Sequence, residues 1–435
     1  MFISSDLLSE IAPALRNNQL NLLEYIDSIC KRLDEYECKI QSLVPEANRN
    51  ARLKEEAKIL LRKFPDTNHR PLLFGVLIGV KDVIKVEGFP TQAGSQLPPE
   101  LFAGKEASCV TKFRTNGAII LGKTVTTEFT LGKPGPTRNP YNLDHTPGGS
   151  SSGSAAAVAA GFCPLAMGTQ TGGSVIRPAA FCGIIGFKPT YGRINTDGVI
   201  HYSKSIDHMG LFTQDVPGMI LAASIVCDRW KKIEFDFRTN SIPVVGIPEG
   251  PYLEFLPAET QVAFKKQVAK LEVAGYRVKK IPIFKNIEEI LNNRKKLAMG
   301  ELAEIHKKWF IKYKNLYSDY TIQRIMIGKQ VSTEDLIMAR SELLLLRKKI
   351  DKLMMENNID IWIAPSALGP APKGLTSTGD SKMNQPWTYS GHPVITLPAG
   401  FSDKEQLPLG VQVIARYMND EKLLSWAVAI ADILQ

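Results

Sequence analysis

Ser150 and Ser174 stand 24 residues apart in two glycine-rich runs, GGSSSG from Gly148 and TGGS ending at Ser174, with the small-residue segment SAAAVAAG between them. Glycine at this density is conformationally costly, and it is kept where backbone must turn sharply or approach a ligand closely. A hydroxyl held at such a turn is a candidate nucleophile, but serine is a weak one until a base takes its proton. Lys81 is the candidate base. It follows the apolar run FGVLIGV and so ends a buried strand, the place where open α/β sheets gather their active sites. Burial disfavours the ammonium form and leaves a neutral amine, which can accept a proton. The competing structural reading pairs Lys81 with the neighbouring carboxylate of Asp82.

Three other chemistries are suggested by the letters of the sequence and fail on context. GAIILGKT, from Gly117 to Thr124, matches the phosphate-loop pattern, yet its Ala118–Leu121 core is β-prone and apolar, whereas a phosphate loop needs a flexible turn after a strand. Lys123 is therefore expected to end a strand. GSSSG, from Gly149 to Gly153, matches the nucleophile elbow with Ser151 as nucleophile, but the elbow must follow a buried strand, and RNPYNLDHTPG is polar with two prolines. The six histidines show no metal-binding spacing. A Ser-His-Asp triad assembled in space would draw on His145 or His392, each of which also fits a satisfied loop residue.

Together, Lys81, GGSSSG with Ser150, and TQTGGSVIRPAAFCG with Ser174 resemble the amidase signature family, as do the serine separation, GIIGFKPTYGRI, PVITLPAG and LPLGVQVIA. The resemblance runs from about residue 70 to residue 435. Within the family, TQTGGSVIRPAA and STGDSKMNQPW look similar to malonamidase-type enzymes. The resemblance implies an amidase signature fold and a hydrolase acting on linear amides through an acyl-enzyme. Ser174 would be the nucleophile, Ser150 a bridging serine on a cis peptide bond, and Lys81 the base behind it. The amides of Thr171, Gly172 and Gly173 would form an oxyanion hole, Arg177 would bind a substrate carboxylate, and Ser151 would support Lys81. The chain departs from the family at Gln170, where many members carry Asp, and in Arg177, which lies three residues after Ser174 rather than two. Glutamyl-tRNA amidotransferase A subunits generally keep the commoner pattern, so these departures count against the alternative reading, a glutaminase subunit of a tRNA-dependent amidotransferase.

The elements that must position these residues alternate. Helical periodicity over 5–62 precedes a strand at Pro71–Val80, a helix at 107–116, a strand at 118–122, a small-residue helix near 152–160 and a strand at 164–169. Later come strands at 244–248 and 276–283, a helix at 258–274, long helices to about 357, and strands in DIWIAP, VITLP and GVQVIA. The pattern predicts an α/β fold: a large mixed, mostly parallel twisted sheet with helices on both faces. Residues 1–65 are expected to be a helical segment packed on the core, and 66–435 the catalytic domain, with motifs in 72–215, a helical region over about 286–357 and C-terminal strands reaching 415.

The formal net charge of +9 is regional: Gln261 to Glu356 holds 21 Lys and Arg against 11 Asp and Glu. Charges alternating with apolar positions at helical spacing read as solvated helix faces, and no aromatic interleaving or binding motif points to nucleic acid. The six cysteines are scattered without paired spacing, which suits a reducing compartment. The N-terminus does not read as a signal peptide, and no apolar run is long enough to span a bilayer. The expectation is a cytoplasmic enzyme with no cofactor and no metal, a small-molecule amide substrate, and no nucleic-acid or membrane partner, with a homodimer left open.

Overall fold

The computed structural model describes residues 2–231 and 242–434. Three helices come first, α1 (Leu8–Arg16), α2 (Leu22–Ile40) and α3 (Arg49–Lys63). There follow β1 (Leu77–Lys81), α4 (Ser108–Thr115), β2 (Ile119–Thr124), α5 (Ser152–Ala159), β3 (Leu165–Gln170), α6 (Ile176–Phe181), β4 (Ile185–Lys188), β5 (His208–Thr213) and α7 (Val216–Val226). The second half contains β6 (Val245–Glu249), α8 (Pro251–Glu254), α9 (Ala258–Val273), β7 (Val278–Pro282), α10 (Ile287–Tyr313), α11 (Asp319–Gly328), α12 (Thr333–Glu356), β8 (Ile361–Pro365), α13 (Gln385–Ser390), β9 (Val394–Phe401), β10 (Pro408–Ala415) and α14 (Asp420–Leu434).

The ten strands among the described residues form one sheet in the order β2-β1-β3-β5-β4-β9-β10-β8-β6-β7. It is mixed, as expected, with a larger antiparallel share than a mostly parallel sheet would have. Parallel pairing is confined to the flanks, in β2-β1-β3 and β8-β6-β7, and the centre from β3 to β8 is antiparallel. Successive strand residues point to opposite faces, and β1, β2, β3, β5 and β8 are buried at every position, so both faces of the sheet are covered. Leu8, Leu15, Ile26 and Leu53 of the first three helices belong to the same hydrophobic core as the strands. Among the described residues, no helix is long and apolar enough to cross a membrane.

Two local features differ from expectation for clear reasons. The apolar run from Pro71 becomes a strand only at Leu77, because Phe74 N bonds Pro71 O at 3.1 Å and Val76 N bonds Leu73 O at 3.0 Å around Gly75, whose φ is 75°. β4 and β5 escape periodicity, being short and interrupted by Gly186 and Gly210. Next to β1, the small side chains of α5 allow very close packing. A Cβ on Gly153 would lie 2.1 Å from Ser42 O and 2.4 Å from Val125 N, so no larger residue fits there.

Candidate active site

Lys81 ends β1 and is fully buried. Its Nζ donates to Ser150 Oγ at 2.7 Å, Ser151 Oγ at 2.9 Å and Thr169 Oγ1 at 2.9 Å, with Thr169 O at 3.4 Å. Three hydroxyls surround the amine, and hydroxyls can donate as well as accept, so a neutral nitrogen keeps an outlet for its lone pair. Burial holds the Lys81 pKa well below the ordinary lysine value, opposed by the negative field of Asp207. The pairing with Asp82 is not made: Asp82 Oδ1 lies 2.8 Å from Lys123 Nζ at the end of β2, both side chains being buried. Strand β2 also occupies the stretch that resembled a phosphate loop.

The peptide bond between Gly149 and Ser150 is cis. Ser151 is the residue that caps the start of α5, and its Oγ donates to Thr169 O at 3.2 Å while accepting from Lys81. The second serine loop leaves the end of β3. Gln170 ties its two ends together: Oε1 accepts from Val175 N at 2.7 Å and Ile176 N at 3.0 Å, and Nε2 donates to Thr388 Oγ1 at 2.9 Å. Thr388 in turn donates to Gly172 O at 2.6 Å. Asp207, just before β5, accepts from Thr171 Oγ1 at 2.6 Å, Tyr202 N at 2.9 Å and Ser203 N at 3.1 Å. With the carbonyls and side chains so engaged, the N–H groups of Thr171, Gly172, Gly173 and Ser174 have no acceptor among the described residues.

Ser150, Ser174 and the Thr171–Gly173 backbone line one cavity of about 730 Å³. Arg177 of α6 also lines it, buried, with Nη2 donating to Gly149 O at 2.7 Å and Thr378 Oγ1 at 3.2 Å. Burial pulls the Arg177 pKa down to about 10, with Asp380 opposing. Arg294 of α10 donates from Nη2 to Thr171 O at 2.8 Å. A second cavity of about 750 Å³ lies among α8, α9, β6 and β7, lined by Leu253, Phe264 and Val268, and holds none of these groups. The two candidate histidines lie apart from the site: His145 Nδ1 meets Ala371 O at 2.8 Å, and His392 meets Ser390 Oγ and Asp351. Among the described residues no cluster of three His, Cys, Asp or Glu could hold a metal ion.

A buried amine is hydrogen-bonded to a serine on the wall of a cavity that a second serine also lines, beside amides with no acceptor among the described residues. The family model described as Amidase matches residues 24–424. The chain belongs to the amidase family. The fold agrees: a crystal structure of an amidase is 28% identical with a TM-score of 0.88, covering 99% of this chain and 100% of its own. The native peptide amidase from Stenotrophomonas maltophilia shares the fold at 23% identity and a TM-score of 0.83, covering 99% and 97%. Among curated proteins, glutamyl-tRNA(Gln) amidotransferase A subunits are similar over almost their full length. That of Halothermothrix orenii is 29% identical over 98% of this chain and 97% of its own. Its counterpart from Methanobrevibacter smithii is 28% identical over 94% and 96%.

These matches support one sequence expectation about the amidase and correct another. The family likeness is shown, while the curated relatives named above are amidotransferase A subunits and do not single out the malonamidase type expected from TQTGGSVIRPAA. The expected partner set, an amide substrate alone with no nucleic acid and at most a homodimer, is overturned by relatives that are by name subunits of an enzyme of glutamyl-tRNA(Gln). Gln170 and the displaced Arg177 read as signs against such relatives, yet Gln170 is a neutral brace for backbone amides, a task that needs an acceptor and not a charge. Sequence reading also missed Asp207, Thr169, Thr388 and Arg294. Only Asp207 left a trace, as an acid next to a short apolar run; the others are placed by tertiary packing.

Proposed function

We propose that this amidase cleaves a carboxamide through an acyl-enzyme on Ser174, acting as the glutaminase subunit of a tRNA-dependent amidotransferase. The observation that carries the chemistry is the buried, carboxylate-free Lys81 amine 2.7 Å from Ser150 Oγ at the wall of the cavity that Ser174 shares. Neutral Lys81 accepts the Ser150 proton and Ser150 accepts the Ser174 proton as Ser174 Oγ bonds to the amide carbon. The carbonyl π pair moves onto oxygen, facing the free amides of Thr171, Gly172 and Gly173; losing one such donor typically costs about 3 to 4 kcal/mol in the barrier. Collapse breaks the C–N bond, the relay returns the proton to the departing ammonia, and water enters by the reverse path to release the acid. Ser151 holds Lys81 in place, and Arg177 borders the acyl group.

The subunit reading is supported by the curated relatives, which align over nearly the whole chain at 26–29% identity. The cavity also suits glutamine in charge, offering Lys295 and Arg324 to a carboxylate and Glu288 and Asp380 to an ammonium. The catalytic groups all fall within 66–435, the proposed catalytic unit, with 1–65 as its helical accessory. All six cysteines are free, in keeping with a reducing cytoplasm. The test is ammonia release by the purified chain from glutamine and from a panel of apolar amides, with Ser174→Ala as control. Glutamine as the preferred donor, with no release by the variant, is the expected result. Faster release from apolar amides would overturn the glutaminase assignment, and equal release by Ser174→Ala would overturn the acyl-enzyme.

A further inference from the structure

The turn that follows β2 is anchored from two sides. On one side Thr127 N donates to Ser150 O at 3.3 Å, and Thr130 and Leu131 line the cavity that Ser150 and Ser174 share. On the other side Glu128 is buried against the start of α11, where its carboxylate accepts from Ser318 N at 3.1 Å and from the hydroxyls of Ser318 and Thr321. Ser318 also caps α11, its Oγ accepting from Thr321 N at 3.3 Å. The carboxylate therefore sits at a helix N-terminus, where the aligned peptide dipoles favour negative charge. The next two residues, Phe129 and Thr130, hold φ of 48° and 61°, the left-handed region that side-chain-bearing residues seldom adopt. Such a conformation persists where the surroundings fix it. Glu128 supplies one fixing contact. Phe129 supplies the other, its ring edge-on to His306 of α10 at 4.5 Å and stacked on Tyr317 at 5.4 Å.

The same helix faces the cavity through Tyr320 and Arg324, with Arg324 Nη2 donating to Tyr320 Oη at 3.0 Å. A Cβ on Gly132 would lie 2.5 Å from Tyr320 Oη, so α11 meets this stretch of chain at both of its ends. We infer that Glu128 is a positioning residue for amide cleavage: by pinning the strained turn to α11 it fixes the Ser150 backbone, and with it the reach from Lys81 to Ser174. The inference rests on the acyl-enzyme reading and deepens it, because the helix that lines the cavity then also sets the geometry of the relay. Glu128 touches neither substrate nor reacting atoms and acts through Thr127 and Ser150. A residue that only capped α11 would behave differently. Its loss would loosen the helix and weaken binding at Tyr320 and Arg324, and would leave the relay untouched.

Labelling of Ser174 in the full-length chain by a small dialkyl fluorophosphonate separates the two roles, since this probe carries neither carboxylate nor ammonium. The variants are Glu128→Gln, Thr321→Val and the two combined, with the rate taken only from sites that label. Glu128→Gln should slow labelling by roughly 10- to 100-fold, the scale of a small misplacement. Ammonia release from glutamine should lose a similar factor in kcat, with KM changed by less than about twofold. Thr321→Val removes one partner of the carboxylate and should slow labelling by less. The double variant should be no slower than Glu128→Gln, because both cut one link. Labelling of Glu128→Gln at the wild-type rate, with the loss confined to KM, would overturn the inference and leave Glu128 as a cap for α11. Losses that multiply in the double variant would overturn it too. If Glu128→Gln does not fold, Thr321→Val decides alone: slower labelling supports the inference, and the wild-type rate overturns it. Wild type that fails to label would instead sink the acyl-enzyme reading, and the inference with it.

Discussion

The strand ends that carry Lys81 and the two serine loops, and the long helices α10 to α12 that close over them, are built on opposite terms. At the strand ends the polar side chains are densely engaged: Lys81 touches three hydroxyls, Gln170 braces two amides, and Asp207 accepts from four groups. The helices bury one apolar side, through Leu343, Leu346, Ile350 and Met354 of α12, and leave the opposite side to solvent, with Leu344, Leu345, Lys348 and Lys349 exposed. One region is over-determined and the other is free to vary. The proposed chemistry lies in the first, and the second contributes single residues such as Arg294 that line the cavity.

The largest expected effect is at Lys81. Lys81→Ala should lower kcat/KM for amide cleavage by roughly 10²- to 10⁴-fold, the range that positioned general bases supply. Because burial lowers the Lys81 pKa in the folded protein, the unfolded chain binds a proton there at pH values where the native chain does not. Stability linked to Lys81 therefore rises with pH between that lowered value and the ordinary lysine range. Thermal melts of wild type and Lys81→Met across this window should show the wild type gaining relative to the variant as pH rises. A constant difference would mean that the amine is charged in the fold, and the contrast between the two regions would lose its centre.

A smaller effect is expected at Asp207, which acts on the site through Thr171 and through its field. Its charge opposes the burial of Lys81, so Asp207→Asn should lower the Lys81 pKa further. The proposed relay needs neutral Lys81, so activity is expected to rise with pH as that amine loses its proton, and the acid limb of kcat/KM should move to lower pH in the variant. The rate at the optimum should fall by about tenfold, less than the 10² that a 1 Å misplacement can cost. A limb that stays in place, or moves to higher pH, would separate Asp207 from Lys81.

This division also explains what the sequence could show. The grouping of Lys81 with Ser150, and of Ser150 with Ser174 on one cavity, is legible because it is set by short runs whose spacing is local: an apolar strand ending in lysine, and serines set among glycines. Gln170 was visible only as a departure, and its meaning came from Val175, Ile176 and Thr388, the last more than 200 residues away. Arg294 was hidden among lysines. RKK at 294–296 reads as one basic patch, yet Arg294 is buried against Thr171 while Lys296 pairs with Asp335 at 2.7 Å near the surface. Helical phase assigns a face, but only the packed sheet decides which face meets the cavity. Antiparallel β4 and β5 were lost for a related reason, since four to six residues with glycine inside carry little periodicity.

The smallest effect belongs to the outer side of α12. Lys348, Lys349 and Lys352 are exposed, and the Lys352–Glu356 pair is 3.6 Å long with side chains 71% and 55% exposed, a geometry that typically contributes about 0 to 1 kcal/mol. The helix does not depend on them. It is capped by Ser332, whose Oγ accepts from Asp335 N at 3.0 Å, and anchored by its buried leucines. Lys348→Ala, Lys349→Ala and Lys352→Ala combined should shift stability by no more than about 0.5 kcal/mol per site and leave ammonia release from glutamine unchanged. A clear fall in turnover, with the melting temperature intact, would show that charge on the helical side reaches the reaction over a distance. The basic region would then act on the cavity as Arg294 does, and the contrast with the strand ends would become one of degree.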